Sequence, residues 1–67
     1  MAHERAAATH LRAADLHDRA AAFHQEHALA ERKLGRVEQA QRMEALAHLE
    51  REKARNERHS ARLAQQE

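Results

Sequence analysis

Apolar and polar positions along this chain repeat with a period of seven. Residues 3–9 read HERAAAT, 10–16 read HLRAADL and 17–23 read HDRAAAF. His3, His10, His17 and His24 recur in step, as do Arg5, Arg12 and Arg19, and Ala7, Ala14, Ala21 and Ala28. Heptads with small and apolar residues inside each repeat predict helices that pack on one another. No window alternates with a period of two, so no sheet is expected.

The longest apolar stripe runs Ala6, Thr9, Ala13, Leu16, Ala20, Phe23, His27, Ala30 and Leu34, spaced by threes and fours. Taken as the a and d positions of a coiled coil, it places small residues at a, Leu and Phe at d, the histidines at e and the arginines at g. A second stripe follows at Ala40, Ala47, Ala54 and Ala61. The two registers differ by one residue, because continuing from Leu34 reaches Gln41 rather than Ala40. Gly35, the only glycine, lies in that gap, and Lys33 before it suits a helix C-terminus.

The expected fold is therefore all-α: a single domain over residues 1–67, with helices at 3–34 and 36–65 and a turn near 35. The two helices form an antiparallel, alanine-rich hairpin that is expected to pair into a four-helix bundle. The competing architecture is one continuous helix about 100 Å long in a coiled-coil dimer, since a lone glycine costs only about 1 kcal/mol in a helix. KLGRVEQA, with Ala47 seven residues on, resembles the turn of a tetratricopeptide repeat, although the aromatic and proline positions of that family are not matched. Residues 50–62 are nearly all polar, so burial is expected to weaken toward the C-terminus.

Composition sharpens this picture. Most of the 42% hydrophobic fraction is alanine, which buries little area. With no cysteine there is no disulfide to compensate, and so short a chain calls for a partner, self-association or a metal. The packing residues expected from the stripes are Ala13, Leu16, Ala20, Phe23, Ala30, Leu34, Met43, Leu46, Ala47 and Leu49. Phe23, the one aromatic residue, is the expected anchor, and its truncation would cost about 3–5 kcal/mol if it is buried. No apolar run approaches a membrane span and no signal-peptide core is visible, so a cytoplasmic location is expected. Abundant Ala and Arg with few Lys suggest a bacterial source. Net charge is +1, which exerts little pull toward nucleic acid or membrane.

Three chemistries can be read from the residues. His24, His27 and Glu31 share one helical face, as do Glu44 and His48. A chain folded at Gly35 makes neighbours of residues whose numbers sum to about 71, bringing His27 to Glu44 and His24 toward His48. Those four, His24, His27, Glu44 and His48, could hold zinc or another transition ion. Histidines beside arginines along one seam would add like charge near pH 5–6 and weaken packing. Arg51, Arg55, Arg58 and Arg62 form a basic stripe able to track phosphates, but acidic residues on other faces and the lack of neighbouring aromatics argue against nucleic acid. Thr9 and Ser60 are the candidate nucleophiles and neither lies in a motif, so an enzyme is not expected. Self-association and protein–protein interaction, as an accessory or adaptor subunit, is the function this sequence favours.

Overall fold

The computed structural model describes residues 2–66. Helix α1 spans Ala2–Lys33 and helix α2 spans Val37–Gln66. They fold back on each other as an antiparallel hairpin, and no strand occurs among the described residues. The Cα envelope measures 51 × 12 × 9 Å, half the length of a continuous helix. Its radius of gyration is 15.3 Å, against about 11 Å for a compact globule of this length. The expected hairpin is thus the fold, and its boundaries match the expected ones to within two residues.

Gly35 makes the turn. Its φ of +75° lies in the left-handed region that side chains disfavour. Around it the last turn of α1 closes by two backbone bonds: Gly35 N–H donates to the Arg32 carbonyl (3.0 Å) and Arg36 N–H to the Glu31 carbonyl (2.9 Å). This pair of bonds is the Schellman arrangement, with Gly35 at C′. The apolar contact that usually accompanies it is replaced by an ion pair, Arg36 with Glu31 at 3.5 Å.

Among the described residues the buried side chains are all alanine: Ala7, Ala14, Ala21 and Ala28 on α1, and Ala40, Ala47, Ala54 and Ala61 on α2. Each helix therefore presents one methyl per heptad to its neighbour, and the backbones close to a short separation. The 12 Å width, less about 4.6 Å for two Cα radii, leaves roughly 7–8 Å between axes, at or below the usual 8–10 Å.

The seam corrects one expectation. It is set on Ala7, Ala14, Ala21 and Ala28, one residue from the Ala6-to-Leu34 stripe read from the larger apolar groups. Inside the hairpin Ala47 is buried as expected, and Ala13, Ala20 and Met43 are half-buried. Leu16, Phe23, Ala30, Leu34, Leu46 and Leu49 are exposed, with Phe23 at 64%. Tight packing of helix on helix needs small residues at the line of contact, so the alanine column outcompetes the bulkier one for the intrachain seam. Continuing the buried alanines from Ala28 by sevens reaches Arg42, two residues from Ala40, so the turn at Gly35 resets the heptad phase between the helices.

Candidate interaction surface

With Ala7 and Ala40 each taken as heptad position a, the histidines fall at d, not e, and Arg5, Arg12 and Arg19 fall at f, on the outer side. Two ladders of cross-helix contacts follow. On the d flank, His10 Nδ1–H donates to Glu57 Oε2 and His17 Nδ1–H to Glu50 Oε2, each at 2.6 Å. A carboxylate only accepts, so these contacts place the ring proton on Nδ1. The numbers in both pairs sum to 67. On the e flank, Arg32 grips Glu44 through two bonds of 3.1 and 2.6 Å, Arg51 donates to Gln25 Oε1, and Arg58 donates to Asp18. Those three pairs sum to 76 and repeat every heptad.

These contacts shift acidity in a consistent direction. The hydrogen bond from Arg32 holds the Glu44 carboxyl below its ordinary value, and the bond from His17 does the same for Glu50, with Lys53 adding to it. Glu44 and Asp18 in turn push the Arg32 and Arg58 guanidiniums further up.

The ladders define the two faces of the hairpin. In an antiparallel pair e faces e and g faces g, so the e flank carries the arginine ladder and the opposite flank carries positions g and c. Phe23 marks that second flank directly: its ring packs against His24 and His27 with centroids 5.7 and 6.3 Å away. Nine large apolar side chains are exposed among the described residues. Six of them, Leu16, Phe23, Leu34, Leu46, Leu49 and Leu63, occupy c or g positions and share this flank. The Ala6-to-Leu34 stripe is therefore a genuine coiled-coil stripe, but it faces outward, beside the alanine seam rather than in it.

The structure does not bring together the four candidate metal ligands. His24 and His27 lie on the Phe23 flank, while Glu44 is on the other, held by Arg32. His48 is on the outer surface of α2, 3.0 Å from Glu52. The reason is the register: cross-helix neighbours sum to 67 on one flank and 76 on the other, not to about 71 everywhere. Among the described residues no three His, Asp or Glu side chains gather in metal-holding geometry. The arginine stripe is partly committed within the hairpin, through Arg51 to Gln25 and Arg58 to Asp18. Arg55 lies 4.0 Å from Glu52 on its own helix. Thr9 Oγ1 donates to the Arg5 carbonyl at 2.9 Å, a local helix contact.

Sequence reasoning missed the His10–Glu57 and His17–Glu50 pairs. The signal was present: a histidine lies three residues after Ala7, Ala14 and Ala21 on α1, and a glutamate three residues after Ala47 and Ala54 on α2. No known protein family, no curated protein and no solved structure matches the chain. No described helix is long and apolar enough to cross a membrane.

Proposed function

We propose that this chain is a non-enzymatic helical module that works by self-association, as an assembly or adaptor subunit. One observation carries the reading. The hairpin's own core is made of methyl groups, each contributing about 0.8 kcal/mol, while six of the nine large apolar side chains exposed among the described residues crowd one flank. A chain with so small a core gains most of its remaining apolar burial by covering that flank. The charged e-flank ladder, by contrast, is already paired and suits solvent.

Sedimentation equilibrium of the wild type and of Leu16→Gln/Phe23→Gln tests the reading. The wild type is expected at a multiple of the chain mass and the double variant at the monomer mass with its helicity retained. A wild type that is monomeric at all accessible concentrations would refute self-association.

A further inference from the structure

Resting on that self-association, we propose that the α1 part of the apolar flank is covered by a second copy docked antiparallel, α1 on α1, with the two turns at opposite ends. The stripe from Thr9 to Leu34 alternates steps of four and three and reads the same in either direction. Two antiparallel copies therefore interlock when facing residues sum to 43. Ala20 then lies opposite Phe23 of the second copy, Leu16 opposite its His27, and Ala13 opposite its Ala30. The one aromatic ring meets a methyl, so the bulk of one copy fills the gap of the other.

The midpoint of this arrangement falls between Ala20 and Phe23. Charge agrees at the centre: Glu26, flanking the stripe, falls beside Arg19 of the second copy, and the pair occurs twice. Arg12 and Lys33 face each other only at the solvent-exposed ends, where like charge is screened. The Nδ1 atom of His24, buried without a hydrogen-bond partner in the single hairpin, lies on the same flank.

The alternative two-fold, with both turns at one end, is disfavoured by the sequence of α2. It lays α1 on α2 of the second copy at equal height. With facing residues summing to 69, Ala13 would then face Asn56, Leu16 would face Lys53 and Ala30 would face Gln39, leaving Phe23 on Leu46 as the one pair of large apolar groups. Apart from His27 the α1 stripe is apolar or small, whereas Gln39, Arg42, Lys53 and Asn56 interrupt the leucines of the α2 stripe. Only α1 matches α1.

The chain has no cysteine, so a single nitroxide at Lys33→Cys, exposed and outside the stripe, reports the docking by pulsed dipolar spectroscopy. At 1.5 Å per residue the antiparallel dimer places the two labelled positions about 35 Å apart along the axis, and the same label at Arg12→Cys about 29 Å apart. Distances near these values in both variants support the docking. Distances below about 20 Å at both sites, or beyond about 50 Å at either, overturn the docking while leaving self-association standing. No dipolar coupling together with a monomer mass by sedimentation overturns both.

Discussion

His17 and Glu50 meet across the hairpin at 2.6 Å, thirty-three residues apart in sequence, with the imidazole Nδ1–H aimed at a carboxylate oxygen. His10 and Glu57 repeat the contact one heptad further from the turn. Alanine seams slide easily because every rung looks alike. Two hydrogen-bonded pairs at the same flank make the register one-valued, since a slip of one residue would separate both. Replacing His17 with Leu, or Glu50 with Leu, should lower the melting midpoint, and the double variant should lose less than the sum of the two. Additive losses in this double-mutant cycle would show the pair to be uncoupled.

The same contacts set different charges against the histidines from those expected. Arginines were expected beside the histidines, so that acid would add repulsion. The groups that face His10 and His17 across the seam are instead Glu57 and Glu50, and Lys53 stands 3.7 Å from Glu50. That flank therefore sets the imidazoles against carboxylates and not against arginines. Glu44 and Glu50 have folded-state pKa values below their ordinary 4.5. A depressed carboxylate stabilises above its unfolded value, and that contribution is lost as pH falls through the folded value. Thermal melts of a dilute sample should therefore lose stability as pH falls below about 4.5. A midpoint unchanged as pH falls from 5 through 4 and lower would contradict this.

Close approach of the helices depends on the size of the seam residues. Ala21→Leu inserts bulk where two backbones nearly touch and should cost about 1–3 kcal/mol by overpacking. The same change at the exposed neighbour Ala22 should be close to neutral. Chemical denaturation of the two variants separates the positions, and equal losses would mean that the seam is not where the alanines lie.

Gly35 has nothing within 4 Å of where a Cβ would project, so its replacement is limited by backbone conformation alone. Gly35→Ala should cost about 1–2 kcal/mol for holding φ at +75°, and Gly35→Asn should cost less. Alanine also favours continuing the helix through the turn, so scattering from Gly35→Ala should show a longer particle than wild type. A variant as compact and as stable as wild type would show that the turn does not need the left-handed residue.

Much of this fold was legible in the sequence. Alanines at seven-residue intervals on both sides of a single glycine specify two helices of equal length and a turn, and the helix ends fall within two residues of expectation. The face that packs was harder to read. Leu16 and Phe23 outweigh Ala14 and Ala21 in any reading that ranks positions by apolar size, yet backbone approach rewards the smallest side chain. The stripe containing Phe23 and the stripe containing Ala21 are adjacent on one helix, and only a choice between intrachain and interchain contact separates them. The candidate metal cluster failed to assemble for the same reason: a shift of a few residues in the cross-helix register moves Glu44 and His48 away from His24 and His27.

The central claim is that the small alanine core is completed by a second hairpin. Small-angle X-ray scattering on an absolute intensity scale tests it in one measurement, since forward intensity gives mass and the pair distribution gives length. The account predicts twice the chain mass and a maximal dimension of about 60 Å, the span of two hairpins overlapped about the Ala20–Phe23 level. The monomer mass with a 51 Å particle, or a rod near 100 Å, would contradict it.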